Sequence, residues 1–142
     1  MKAVGAKECS AHQLLATGRM KTPEDICPDF PEWPERWQGV EEDVPYGQGV
    51  LDAMRPFVVH LICHGLKGKT IRTHMDNLWV LGGEVIRSVS VNDEYEIKPM
   101  EKLRQSVDEE GGLYCRHLHS EYSERSYDAT ARKLHGFLAT HR

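Results

Sequence analysis

Apolar side chains recur every three or four residues from about residue 49 onward, the spacing that places them on one face of an α-helix. The first such stripe predicts a helix that extends to about Cys63. Residues 57–63 within it are apolar nearly all round, which fits a buried helix and, alternatively, a buried strand. The stripe consists of Leu51, Met54, Val58, Leu61 and Ile62.

The second stripe is the longest and predicts an amphipathic helix capped by Thr70. Gly82 and Gly83 fall inside it, although each glycine costs a helix about 1 kcal/mol relative to alanine. The pair therefore indicates a close helix–helix contact, a kink or the end of the helix. The shared face carries Ile71, Met75, Leu78, Gly82, Val85, Ile86 and Val89.

Two further helices follow from the same pattern. One begins at Pro99, a residue that suits the first helical position, and ends at Gly111-Gly112. The other begins at about Ser126. The pattern does not distinguish helix, strand and loop over residues 85–97 and 113–122. The two apolar faces consist of Met100, Leu103 and Val107, and of Tyr127, Ala131, Leu134 and Leu138.

The first 48 residues have a different character, because prolines interrupt any helix longer than a few turns. We expect an extended arm, with one short helix over residues 10–17, that precedes a helical domain over residues 49–142. The arm carries three large aromatic residues, Phe30, Trp33 and Trp37. These rings either pack across their own domain or anchor a partner, including a second copy of the chain. The predicted fold is mainly α, a small bundle of about four core helices with this N-terminal arm.

Composition narrows the functional classes. The chain of 142 residues has no apolar run long enough to cross a bilayer and no secretory signal at its start, so we expect a cytoplasmic protein without membrane contact. Its net charge is −4, and residues 1–50, with five basic and nine acidic residues, account for all of it. This balance argues mildly against a high-affinity, stand-alone nucleic-acid binder.

Candidate catalytic chemistry is sparse. His60 and His64 have the i, i+4 spacing of zinc-binding helices, but no glutamate follows His60 as an HExxH site requires. Cys115, His117 and His119 alternate as they would along one side of a strand, without the CxxC pairs of structural zinc sites. No nucleophile motif or complete phosphate-binding loop is present. We therefore predict no metal, no cofactor and no enzymatic activity, with metal binding as a third hypothesis.

Two segments are locally basic by about two charges each, residues 66–87 and 116–142. Within them, Gly65-Leu66-Lys67-Gly68-Lys69-Thr70-Ile71-Arg72 and the ending from Ser126 to Leu138 resemble two helices of the core-binding domain of tyrosine recombinases, the phage integrases. In that family the domain is a four-helix bundle that grips duplex DNA, while a separate domain cleaves the strand. This chain has neither the HxxR signature nor the tyrosine nucleophile segment. The resemblance covers about residues 49–140 and implies DNA contact without cleavage.

The leading hypothesis is accordingly a non-enzymatic module that binds duplex DNA. The resemblance carries over to Thr70, Arg72, Thr130, Arg132 and Lys133, and the charge pattern adds the remaining basic side chains. All of these residues would position phosphates. The alternative is a protein-interaction or homo-oligomerising module that uses Phe30, Trp33 and Trp37. The candidate DNA-binding residues are Lys67, Lys69, Thr70, Arg72, Thr130, Arg132, Lys133 and His135.

Overall fold

The structure, a computed structural model, describes residues 21–141 and confirms the mainly α class. Two short helices and a 3₁₀ turn come first, followed by two long helices, a short helix, a two-stranded hairpin and a third long helix. The helices are α1 (Pro23–Ile26), α2 (Trp33–Trp37), α3 (Asp43–Cys63), α4 (Gly68–Asn92), α5 (Pro99–Gln105) and α6 (Glu121–Thr140), and the antiparallel strands are β1 (Val107–Asp108) and β2 (Gly111–Gly112).

The core lies between the long helices, and the predicted apolar stripes supply most of it. Each stripe faces inward because its residues share one side of a helix, so packing three such sides together removes them from water. The run over residues 57–63 is helical and belongs to α3. Fully buried side chains from the three helices include Leu51, Met54, Phe57, Met75, Leu78, Leu81, Ile86 and Leu134.

Helix α4 continues through Gly82 and Gly83 to Asn92, so residues 85–92 are helical. Of the three predicted alternatives, a close contact, a kink or a helix end, the glycines mark a close contact. The indole ring of Trp37 lies against the helix there, and a Cβ atom at Gly82 would overlap it. The ring nitrogen of Trp37 donates a hydrogen bond to the carbonyl of Trp79, 3.0 Å away.

Residues 21–48 differ from the extended arm that we expected. They fold into α1, the 3₁₀ turn Phe30–Glu32 and α2, and α3 crosses the expected boundary between residues 48 and 49. Phe30 is 0% exposed and Trp33 is 2% exposed, because these turns direct both rings into the core of their own chain. This corrects the hypothesis that Phe30 and Trp33 anchor a partner in this conformation. The predicted helix over 10–17 lies outside the described residues.

Several helix ends differ from the predicted ones. Helix α4 begins at Gly68 with Lys67 at the N-cap, so Thr70 lies inside the first turn and caps nothing. Helix α6 begins at Glu121, earlier than predicted, because the Ser120 side chain accepts a hydrogen bond from the backbone of Ser123 (3.0 Å). Val107, expected on the third helix, lies in β1 instead.

The third predicted helix is confirmed at its start but not at its end. Pro99 begins α5, as expected, but the helix ends at Gln105, and Gly111-Gly112, expected to end it, forms β2 beside α6. Among residues 21–141, no helix combines the length and apolar character that crossing a bilayer requires.

Candidate functional site

One end of the bundle is built from two chain segments that contain no carboxylate side chain. Neither residues 53–75 nor residues 129–142 include an aspartate or a glutamate, so all 22 acidic residues lie elsewhere in the chain. The segments come together because α6 runs antiparallel to α4 and its last turns reach the end of α3. His74 contacts Thr130 (Nδ1 to Oγ1, 2.7 Å), and the rings of Phe57 and Phe137 lie 5.6 Å apart.

A groove of about 520 Å³ opens between these segments. The apolar side chains of the groove come from α3, from α6 and from Leu66, which lies between α3 and α4. Its polar side chains are basic or neutral. None of its lining residues is acidic. The lining comprises Phe57, His60, Leu61, His64, Leu66, Arg132, Lys133, Gly136, Phe137, Thr140 and His141. Lys67 and Lys69 follow Leu66 closely along the chain. We call the groove together with these two lysines the basic end.

Four aromatic rings form a row along this groove. The ring centroid of His60 lies 4.1 Å from that of His64 and 5.0 Å from that of Phe137. Phe137 stacks in turn on His141, at 4.1 Å and an interplanar angle of 18°. We call these four residues the aromatic row. The i, i+4 spacing of His60 and His64 does place both rings on one face, as predicted, but beside a phenylalanine and a third histidine.

Hydrogen bonds orient the two outer imidazoles. Nδ1 of His64 lies 2.9 Å from the carbonyl oxygen of His60, and Nδ1 of His141 lies 2.8 Å from that of Phe137. A carbonyl oxygen only accepts, so each Nδ1 carries the proton and donates it. The Nε2 atom of each neutral ring is therefore the unprotonated nitrogen.

Burial lowers the pKa of His60, and the neighbouring His64, His141 and Lys133 lower it further. Burial also lowers the pKa of His74, again with a contribution from Lys133. Both inner histidines therefore favour the neutral form at neutral pH more than a free imidazole does. The permanent positive charge of the basic end comes from its lysines and arginine.

The cations of the basic end have few partners. Among residues 21–141, Lys67, Lys69 and Lys133 form no ion pair. Lys67 and Lys69 flank the start of α4, where the first turn contains no acidic residue and no side chain caps the backbone N–H groups. A helix start of this kind attracts anions, because its N–H groups point outward and the helix dipole is positive there.

The structure brings together only part of the predicted DNA-binding set. Lys67, Lys69, Arg132 and Lys133 lie at the basic end. Thr70 is exposed one turn into α4, next to Lys69.

Three of the predicted residues lie away from the basic end or already bond to other groups of the chain. Thr130 is 1% exposed and bonds to His74 and to Asn77 (2.8 Å), which corrects the prediction that it contacts DNA. Arg72 donates to the carbonyl of Ile26 and to Asp76, both at 3.3 Å, on the side of α4 that faces α1. His135 faces the hairpin, where its Nε2 atom lies 3.9 Å from a carboxylate oxygen of Glu109.

Sequence reasoning missed Phe137, His141 and the absence of carboxylates. The acid-free segments were readable from the chain, but their contact depends on how α6 packs against α3 and α4. The metal hypothesis gains no site here: among the described residues, no group of three or more His, Cys, Asp or Glu side chains is placed to hold an ion.

No family model matches the chain, and the curated proteins and solved structures compared with it give no significant match either. The resemblance to a recombinase core-binding domain therefore stays a prediction.

Proposed function

We propose that this protein is a non-enzymatic module that binds the phosphate backbone of duplex DNA through its basic end. The observation that carries the proposal is the meeting of two carboxylate-free segments, residues 53–75 and 129–141, at a groove whose lining contains no acidic residue. Most of the affinity of such a surface comes from phosphates that are neutralised by lysine and arginine.

The placement of the cations fits a backbone contact. Lys67 and Lys69 lie at the start of α4, and Arg132 and Lys133 line the groove beside it. Because the three lysines have no carboxylate partner among residues 21–141, binding a phosphate breaks no ion pair of theirs. Arg132 contributes its guanidinium, which is 3.5 Å from the carbonyl oxygen of Glu110.

The charge on the rest of the molecule limits and orients the binding. The net charge of −4 means that the surfaces away from the basic end repel DNA. We therefore expect modest affinity that falls steeply with salt, and one preferred face toward the duplex.

Fluorescence anisotropy with a labelled blunt duplex, measured across a salt series, tests the proposal. In Lys67→Glu/Lys69→Glu, we expect affinity to fall and the slope of log K against log salt to shrink by about 2, since each lost phosphate contact removes about 0.9 from it. The matched control is Arg87→Glu/Arg125→Glu, which makes the same charge change at exposed positions away from the basic end. Equal losses in both variants, or no binding of the wild type at low salt, would contradict the proposal.

A second candidate function is a protein-contact surface beside Trp37. A second groove of about 520 Å³ runs along α4 there, lined by Trp37, Trp79 and Val80, and Val91 at its side is 72% exposed. Asp43 and Glu84 line this groove together with Arg36 and Arg87, so acidic and basic side chains offset each other there and it is less suited to an anion than the basic end. Sedimentation of wild type and Val91→Glu over a range of concentrations tests it: an oligomer that the substitution dissociates supports this candidate, and a monomer for the wild type contradicts self-association.

A further inference from the structure

We propose that the aromatic row is a stacking site for unpaired nucleobases, so that the basic end prefers DNA with a single-stranded extension to a blunt duplex. This inference rests on the proposed function and adds a substrate class to it. The aromatic row, His64, His60, Phe137 and His141, lies in the groove that Arg132 and Lys133 also line.

The first argument is the geometry of the rings. Successive members of the aromatic row have centroids 4.1, 5.0 and 4.1 Å apart, within the range of aromatic contacts. Phe137 and His141 are stacked, at an interplanar angle of 18°, and the other two pairs are tilted, at 39° and 52°. Proteins that bind single strands use the faces of aromatic rings as platforms, because every base has a π surface of its own. His64, at one end of the row, is exposed and is therefore the ring that a base can reach from solvent.

The second argument is the shape of the groove. A cavity of about 520 Å³ falls within the range that accepts a small organic ring, roughly 300–1,000 Å³. The bases of a duplex are stacked on each other and cannot present their faces to the protein, whereas an unpaired base turns freely into a concave site. The groove therefore discriminates between paired and unpaired DNA by accessibility alone.

The third argument is the charge around the rings. Arg132 and Lys133 line the same groove, so the phosphates on either side of a stacked base meet cations, and no lining carboxylate repels them. Burial lowers the pKa of His60, which keeps its ring neutral near pH 7 and leaves it as a stacking surface. An apolar floor, the aromatic row and a cationic rim together fit a nucleotide better than they fit an inorganic anion.

The test compares three labelled probes by fluorescence anisotropy: a blunt duplex, the same duplex with a short oligothymidine extension, and that extension with abasic sugars in place of the thymidines. For wild type we expect the thymidine extension to tighten binding about tenfold and the abasic extension to lose most of that gain, since stacking on aromatic side chains contributes on this scale for each base. In His64→Ala and Phe137→Leu the thymidine extension should no longer tighten binding relative to each variant's own affinity for the blunt duplex.

The control variant is His119→Ala, which removes an exposed histidine that does not line the groove. It should keep the full gain from the extension. Phe137→Leu retains an apolar contact to Phe57, and thermal unfolding of each variant by circular dichroism shows whether the fold is intact. Because His64 is exposed, His64→Ala keeps the test valid even if Phe137→Leu unfolds.

The outcomes separate the two proposals. If the thymidine and abasic extensions bind equally well, the stacking site is overturned while duplex binding stands. If the extension binds and the blunt duplex does not, the proposed duplex function fails and the stacking site stands. Absence of binding to all three probes at low salt overturns both.

Discussion

The two ends of the bundle differ in whether their charged side chains are buried with partners or exposed without them. At the end where α3 begins and α4 finishes, Asp43 is 1% exposed and accepts hydrogen bonds from the hydroxyl of Tyr95 (2.7 Å) and the backbone of Gly39 (2.8 Å) and Val40 (3.1 Å). Beside it, buried Lys102 pairs with Glu94 at 2.6 Å. We call these residues the paired end. At the basic end, the lysines are exposed and have no such partners among the described residues.

This difference distinguishes structural charge from charge available for binding. A buried ion or carboxylate is tolerated only when donors and counter-charges compensate its loss of water. The charges of the paired end are therefore part of the folded structure and are not available to a ligand. Burial tends to raise the pKa of Asp43, but the three hydrogen bonds outweigh it, and the pKa is lowered overall. Exposed cations without partners add little to stability, and their charge remains free for a phosphate. Substitutions at the two ends should therefore affect different measurements.

The largest expected effect on stability comes from the aromatic cluster next to the paired end. Trp33 is buried and lies 4.7 Å from the ring of Phe30 and 5.7 Å from that of Trp79. Trp33→Ala should lower the free energy of unfolding by about 3–5 kcal/mol, because it leaves a large cavity. Urea denaturation measures this. A stable Trp33→Ala variant that loses only an oligomeric state would restore the hypothesis of a partner anchor.

The second effect is at the paired end itself. Asp43→Asn keeps the size of the side chain but removes the charge and leaves at least one of its three donors poorly satisfied. We expect a loss of about 2 kcal/mol in the free energy of unfolding, with DNA affinity of the folded protein unchanged. Parallel urea and anisotropy measurements check both parts. A weakened affinity without a loss of stability would contradict the division between the two ends.

At the basic end the expected effect on stability is small and of opposite sign. Lys67→Glu/Lys69→Glu should raise the free energy of unfolding by about 0.5 kcal/mol, because acidic side chains at a helix start interact favourably with its dipole. The same variant should lose DNA affinity. Destabilisation by more than about 1 kcal/mol would show that these lysines support the fold.

The smallest effect concerns pH. The pKa values of His60 and His74 are lowered in the folded protein, chiefly by burial, so the unfolded chain binds more protons as the pH falls. Stability contributed by the neutral rings is present above about pH 6.5 and is lost as the pH falls through that value and below it. Urea denaturation at about pH 7.5 and about pH 5.5 should show lower stability in acid. His74→Asn, which keeps a polar partner for Thr130, should flatten that dependence; an unchanged slope would contradict a role for His74.

Local pattern was enough to identify the class of fold and most of its core. The apolar stripes from Leu51 to Leu138 predicted the long helices, because helical spacing alone decides which residues share a face. Pro99 marked a helix start for a local steric reason. The apolar pattern did not locate the helix ends: α6 begins at Glu121, capped by Ser120, rather than at Ser126, since capping depends on a side chain that the stripe does not include.

The sequence by itself therefore determined that this chain forms a small helical bundle, that its glycine pair Gly82-Gly83 marks a close contact, a kink or a helix end, and that its basic residues cluster in two segments. Only the tertiary structure decided that Trp37 fills that contact, that Phe30 and Trp33 are core residues, and that the two segments form one groove with an aromatic row and no carboxylate in its lining. The physical reason is distance along the chain. Helix formation depends on neighbours three and four residues away, whereas the basic end joins groups that only the packing of α6 against α3 and α4 brings together.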